Sequence, residues 1–267
     1  MMEKVDPRQW LIGPLAPYTR CMVLAPDGAE EFPVSSLLDP ACMAEVLAPY
    51  ARLHPGAPRR ALVSQWSKRY FASLLIPMVP LLLAGWRMPQ AMGALHLRLN
   101  AQGEVCAFRY AEVGAPMLAG QAAAERWLPL MDQHLQTLIA ALAKHGKVSQ
   151  RVLWNNLGNL LEAIFGQLAK LPQPPLVLEQ DRAFLLENAL WPGVDPDGPD
   201  RRNPMRHPVH YVAPLIPEVI AEPTRLRRHC CLRHEVPGVV YCATCPHLTA
   251  LNQTQLHALM EHWHHED

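Results

Sequence analysis

Apolar residues recur at helical spacing through most of the middle of the chain, and proline or glycine marks the places where that rhythm stops. Asp39-Pro40 offers an N-cap followed by proline at the first helical position. Met43, Val46, Leu47 and Tyr50 then keep one face apolar until His54-Pro55-Gly56 ends the run. From Arg60 to Leu83 the residues Leu62, Trp66, Tyr70, Leu74 and Leu75 repeat the pattern, and Pro77 and Pro80 predict a break or kink in the second half. Two long helices are expected from about Ala122 to Lys144 and from about Gln150 to Lys170. The joint His145-Gly146-Lys147-Val148 is short, with Ser149 placed to cap the second helix, so the two should lie antiparallel. A shorter helix is expected around Leu178 to Leu190.

The period changes to two at Leu95, Leu97 and Leu99, which alternate with His96 and Arg98. After Asn100-Ala101-Gln102-Gly103 the run Val105 to Tyr110 again has strand composition, and the pair reads as a β-hairpin. The first thirty-five residues show no sustained period and read as irregular or short extended structure. From Trp191-Pro192 to Pro208 the chain is crowded with Pro, Gly, Asp and Arg, which suits a linker or surface loop and suggests two parts, residues 1–208 and 209–267. The expected class is α+β: a mostly helical domain with an antiparallel hairpin, followed by a small cysteine-rich tail.

Charge narrows the partners. Twenty-four Lys and Arg balance twenty-four Asp and Glu, which gives no reason to expect nucleic acid. The stretch from Met1 to Trp10 carries Glu3, Lys4, Asp6 and Arg8 in place of an apolar secretion core, so a cytoplasmic location is expected. Tyr70 to Trp86 holds no charge, but it is shorter than the roughly 20 residues a spanning helix needs and is interrupted by prolines. It reads as a buried helix.

In a reducing compartment, seven cysteines with four of them inside residues 230–245 point to metal chemistry more than to disulfides. Cys21, Cys42 and Cys106 are scattered and read as inert core residues. Cys230, Cys231, Cys242 and Cys245 supply the four thiolates that an iron-sulfur cluster requires. The two-residue gap in Cys242-Ala243-Thr244-Cys245 lets a turn bring both sulfurs to one iron, and Pro246 stops the chain curling on. Cys230 and Cys231 are adjacent, and neighbouring side chains normally diverge, so both can be ligands only where the backbone bends or the cluster sits astride it. Adjacent cysteines grip one small tetrahedral ion poorly, yet a structural zinc site at the same four residues stays open as the alternative. Arg225, Arg227, Arg228 and Arg233 surround the motif and would favour an added electron or attract an acidic donor. Nine of the thirteen histidines fall after residue 200, so a histidine ligand is conceivable.

At Arg227-Arg228-His229-Cys230-Cys231-Leu232-Arg233 and Tyr241-Cys242-Ala243-Thr244-Cys245-Pro246 the chain resembles the FhuF-type siderophore-iron reductases, whose C-terminal signature is an adjacent cysteine pair, ten residues, and a cysteine pair of two-residue spacing. Trp66-Ser67-Lys68-Arg69-Tyr70, Leu153-Trp154-Asn155-Asn156 and Asn203-Pro204-Met205-Arg206-His207-Pro208 look like family blocks in the expected order. The resemblance implies a ligand-binding domain related to the C-terminal region of siderophore synthetases, followed by a 2Fe-2S tail. It also implies one-electron reduction of a ferric siderophore to release ferrous iron in the cytoplasm. No G-x-G-x-x-G fingerprint for nicotinamide or flavin is visible, so a separate ferredoxin or flavin reductase is expected as electron donor, and peripheral association with the inner membrane stays open. His229 and His234 depart from the pattern, at positions where a small polar and an aromatic residue are more usual.

No nucleophile elbow, phosphate-binding glycine loop or catalytic triad is visible, so no catalytic side chain is expected beyond the cluster. For the substrate pocket, Trp66, Lys68, Arg69 and Tyr70 with Trp154 and Asn155 are the candidates, because aromatic faces and cations suit a bulky polar chelate. The competing reading from another class is a siderophore- or partner-binding protein without catalysis, whose tail is pinned by zinc.

Overall fold

The computed structural model describes residues 6–195, 197–217 and 222–264. Helix α1 (Pro40–Leu53) starts where expected, with the Asp39 carboxylate accepting the backbone N–H groups of Ala41 at 2.8 Å and Cys42 at 3.0 Å. Helix α2 (Arg59–Leu83) continues through Pro77 and Pro80, so of the break or kink expected there, the break does not occur. Pro77, Met78, Val79, Leu81 and Leu82 are all buried there, so tertiary packing outweighs the two lost backbone donors.

Against α2 lies a four-stranded sheet in the order β1-β5-β4-β2, formed by β1 (Met22–Val23), β2 (Phe32–Pro33), β4 (Leu95–Leu99) and β5 (Val105–Tyr110). The expected hairpin is β4–β5, with Leu97 opposite Phe108, while β1 joins the other side of β5 in parallel. Asn100 shapes its turn: Oδ1 accepts the N–H groups of Gln102 at 3.0 Å and Glu104 at 2.9 Å. Gly103 has φ +72°, and a β-carbon there would stand 2.6 Å from the backbone nitrogen of Tyr50, so no other residue fits without moving α1. The α2 side chains reach this turn directly, Trp66 Nε1 donating to Gly103 O at 3.0 Å and Ser73 Oγ to Val105 O at 2.8 Å. A two-stranded pair, β3 (Trp86–Arg87) with β6 (Ala115–Pro116), flanks the end of α2.

The expected helix from about Ala122 is two helices in line: α3 (Ala123–Leu130), a π-turn at Met131–Leu135, and α4 (Gln136–Gly146). Lys147 then adopts a left-handed conformation, and α5 (Gln150–Leu168) begins with Ser149 accepting the N–H of Arg151 at 3.3 Å. Helix α6 (Leu178–Leu186) carries Asp181, which is fully buried and bonded to Arg126 Nε at 2.7 Å and Trp127 Nε1 at 2.7 Å. The Pro-rich stretch after it is an ordered surface loop in its described part. The strands β7 (Leu190–Trp191) and β8 (Arg201–Arg202) pair, and buried Trp191 donates to Phe184 O at 3.0 Å.

The tail adds an antiparallel pair, β9 (Val209–Val212) with β10 (Thr224–Arg227), and helix α7 (Gln253–His264). It has a small core of its own, made by Ile216, Leu226, Cys245, Leu248 and Leu256, beside the large core of the helical part. None of the described helices is long and apolar enough to cross a membrane.

Candidate metal centre

Strand β10 delivers the chain to the first cysteine pair, and each residue on the way is held from outside the tail or across it. The N–H of Arg227 donates to Thr244 O at 2.8 Å, that of Arg228 to Pro208 O at 2.8 Å, and that of His229 to the Asn155 side-chain oxygen at 2.6 Å. The carbonyl of Cys231 accepts Ser64 Oγ at 2.8 Å and Gln65 Nε2 at 2.5 Å, both from α2. Leu232 then takes a left-handed conformation (φ 62°), and its N–H turns back onto Cys230 Sγ at 3.4 Å. This bend is the device the adjacent pair needs, since it lets two neighbouring sulfurs serve different sides of one site. The second pair lies on a turn closed by Cys245 N–H to Cys242 O at 2.9 Å, after which Pro246 opens a short 3₁₀ helix, Pro246–Ala250.

Cys231 Sγ and Cys242 Sγ are 3.8 Å apart. Cys230 Sγ, Cys245 Sγ and a ring nitrogen of His247 all lie within 4.8 Å of one another. A hydrogen bond from Cys245 lowers the Cys230 thiol to about 5, and one from Cys231, with help from Cys245, takes Cys242 far below the usual thiol range. The donor thiols of Cys231 and Cys245 are correspondingly pushed up.

This donor set fits two irons better than one ion. Four sulfurs on one tetrahedral ion would all sit about 3.8 Å from each other. Here the mutually close group of potential ligands among the described residues is Cys230, Cys245 and His247, and Cys231 stands outside it beside Cys242. The donors are soft thiolates, largely shielded from water: Cys231 and Cys245 are each 1% exposed.

Polar groups differ on the two sides. Lys68 Nζ stands 4.0 Å from Cys231 Sγ and donates to Gln65 Oε1 at 3.0 Å, and burial lowers its proton affinity. Buried Arg227 donates to Asn156 Oδ1 at 2.6 Å and to Thr244 Oγ1 at 3.2 Å. By Cys230 the neighbours are aromatic: His234 Nδ1 is 3.6 Å from its sulfur, and the rings of His234, Tyr241 and His247 pack together. Helix α7 covers this side, with Trp263 Nε1 donating to Tyr241 O at 2.8 Å.

A cavity of about 680 Å³ opens next to Lys68, with Arg69, Glu104, Asn156, Arg227 and Arg233 also on its wall. Of the six pocket candidates, Lys68 and Arg69 line this cavity, Arg69 being paired with Glu104 at 3.1 Å. Trp66 and Tyr70 are fully buried in the core on the other faces of α2, where Tyr70 OH donates to His134 Nε2 at 2.5 Å. Trp154 is buried against Trp191, and Asn155 grips the tail through Pro208 O at 2.7 Å and the N–H of His229. These four support the site from behind. Arg228 is exposed and donates to Arg206 O at 3.0 Å, whereas Arg227 faces inward.

Gln65, Ser64 and Asn156 are absent from the candidates read off the chain, although Asn156 ties Ser64, Ser67 and Arg227 into one network. Two consecutive asparagines on the apolar face of a helix were a usable signal, since a buried amide needs partners. His247, two positions after Cys245, went unnoticed among the many histidines of the tail.

Fold and site together define a class: a helical α+β domain clamping a short thiolate tail beside a cation-lined cavity. The chain belongs to the family described as ferric iron reductase FhuF-like transporter, which it matches over residues 64–214. Residues 227–247 match the FhuF 2Fe-2S C-terminal domain, so the cofactor of this tail is a 2Fe-2S cluster. A relative from Escherichia coli (strain K12), described as a ferric siderophore reductase, is 24% identical over 190 residues, spanning 70% of this chain and 65% of its own length.

Proposed function

We propose that this chain is a ferric-siderophore reductase in which Cys230, Cys231, Cys242 and Cys245 hold the 2Fe-2S cluster, and in which the cavity beside Cys231 seats the chelate. The observation that carries this reading is the cavity itself, about 680 Å³ in volume, with Lys68 on its wall and within 4.0 Å of a cluster sulfur. When bound, the cluster supplies one-electron chemistry between a separate ferredoxin or flavin reductase and ferric iron.

Ferric iron in a hydroxamate or catecholate siderophore is held by hard anionic oxygens, and lowering its charge by one weakens every one of those bonds. Reduction therefore amounts to release, here into the cytoplasm, and no side chain has to act as nucleophile or base. The residues of this chain bind and orient. Lys68, Arg69, Arg227 and Arg233 present positive charge to the oxygens of the chelate, and Glu104 fixes the direction of Arg69. Trp66, Tyr70, Trp154 and Asn155 hold α2, α5 and the tail in register behind that wall. Exposed Arg228 offers an acidic electron donor a contact outside the cavity. Residues 1–208 act as the chelate-binding part and residues 209–267 as the cluster part, resting peripherally at the inner membrane where cargo arrives.

Anaerobic purification tests this directly. The protein should be coloured, contain two irons and two acid-labile sulfides per chain, and bleach with dithionite. Dithionite-reduced protein mixed with a ferric hydroxamate should then release ferrous iron to a colorimetric trap, and Cys230→Ala, which offers no ligand atom in place of the thiolate, should abolish both colour and release. A colourless protein carrying one zinc per chain would replace this reading by the binding protein with a pinned tail.

A further inference from the structure

We propose that the two cysteine pairs are shared crosswise between the two irons, Cys230 with Cys245 on one and Cys231 with Cys242 on the other. Sequence spacing alone suggests the opposite, with Cys242 and Cys245 on one iron. The inference rests on the cluster reading above and goes on to assign its ligands iron by iron.

Two sulfurs about 2.3 Å from one tetrahedral metal stand about 3.8 Å apart. Cys231 and Cys242 have that separation, at 3.8 Å. Cys245 lies within 4.8 Å of Cys230, as Cys231 lies beside Cys242, so the two arrangements differ in whether Cys242 and Cys245 share an iron. If they did, the neighbours Cys230 and Cys231 would have to close on the other iron. The backbone opposes that closure. Ser64 and Gln65 grip the Cys231 carbonyl from one side, Leu232 is in a left-handed turn, and its N–H points at Cys230 Sγ. Cys230 accordingly faces His234 at 3.6 Å, while Cys231 faces Lys68 at 4.0 Å. Dividing four sulfurs into two close pairs, each used once, leaves the crosswise arrangement.

The consequence is an asymmetric centre. The iron on Cys231 and Cys242 lies on the cavity side, with Lys68 and the Arg227–Thr244 pair as its polar neighbours. The iron on Cys230 and Cys245 lies on the side of His234, Tyr241 and His247, and His247 is exposed. An electron donor then approaches one iron and the chelate the other.

The test uses full-length protein enriched in 57Fe and purified anaerobically, with Mössbauer spectra of the oxidised cluster in two double variants. In C231S/C242S one quadrupole doublet should keep its all-sulfur parameters while the other changes. In C230S/C231S both doublets should change, because each iron gains one oxygen ligand. The reverse result, one all-sulfur iron surviving in C230S/C231S, overturns the crosswise assignment. Should the double variants fail to hold a cluster, proton NMR of dithionite-reduced unmodified protein decides the matter. β-Methylene signals of cysteines on the ferrous and ferric irons have opposite temperature dependence. Cys242 and Cys245, identified by cross-relaxation to Thr244 and His247, should fall in opposite classes; the same class for both overturns the proposal. An unmodified protein without iron or sulfide would instead sink the cluster reading on which the pairing depends.

Discussion

Asn155 Oδ1 accepts the backbone N–H of His229 at 2.6 Å, so a helix residue 74 positions earlier in the chain fixes the approach to the first cysteine. The same amide donates to Pro208 O at 2.7 Å, and the side chain is 3% exposed. Replacing it by alanine leaves a donor and an acceptor of the tail without partners in a buried place, at a cost of about 2 to 4 kcal/mol. That cost falls on the docking of the tail, because Asn155 itself lies on the well-packed α5. Asn155→Ala should therefore lose its visible absorbance to an iron chelator many times faster than the unmodified protein, with its far-ultraviolet circular dichroism unchanged. Equal bleaching rates would show that the tail holds its shape without this anchor.

Lys68 is placed to act on the potential of the cluster. Its ammonium stands 4.0 Å from Cys231 Sγ on the cavity side. A nearby positive charge stabilises the reduced, more negative cluster. Lys68→Met keeps the bulk of the side chain and removes the charge, which at an effective dielectric between protein and water should cost the reduced state about 1 to 2 kcal/mol. The midpoint potential should fall by about 45 to 90 mV, as a one-electron couple requires. Redox titration followed by electron paramagnetic resonance measures it, and an unchanged midpoint would remove Lys68 from the electrostatics of the site.

Local signals made much of the architecture legible in the chain. The Asp39-Pro40 start of α1, the Asn100 turn and the Ser149 cap are each fixed by side chains within a few residues, and all three stand where expected. Pro77 and Pro80 do not end α2, because a local rule for free helices meets a helix buried on nearly every side. The candidate site divides in the same way. Lys68 and Arg69 reach the cavity, but Trp66 and Tyr70 on the same helix face the core, since consecutive residues turn about 100° apart around α2. The grip of Ser64, Gln65 and Asn156 on the tail joins residues more than seventy positions apart, and no spacing rule sees such a contact.

The three remaining cysteines give a control on the ligand set. Cys21 is in the core, and burial pushes its thiol up, away from the thiolate a metal needs, whereas Cys106 is exposed and not the core residue expected, because it stands on the outer face of β5 with its sulfur near Arg98 O. Cys42 sits in the first turn of α1. Changing all three to serine should leave iron, sulfide and the visible spectrum per folded chain unaltered, at a stability cost of about 1 to 3 kcal/mol, mostly from the hydroxyl placed at position 21. Loss of iron from this triple variant would mean that a ligand lies outside residues 230–245.

His134 supplies a pH dependence that is independent of the metal. The ring is fully buried, its Nδ1–H donating to Gln90 O at 3.0 Å and its Nε2 accepting from Tyr70 OH. Burial outweighs the hydrogen bond to Gln90 and holds its pKa down to about 4, from 6.5 in an exposed ring. The unfolded chain therefore binds a proton that the folded chain refuses between pH 6.5 and about 4, and stability must fall as pH falls through that window. Above pH 6.5 the contribution is complete; within the window it declines by about 1.4 kcal/mol per pH unit. Urea unfolding at pH 7.5, 6 and 5 should show the decline in the unmodified protein. In His134→Gln, which keeps an amide able to reach both partners, the slope should be shallower by about one proton. Parallel slopes in the two proteins would assign the acid sensitivity to other groups and leave Tyr70 and His134 as a purely structural pair.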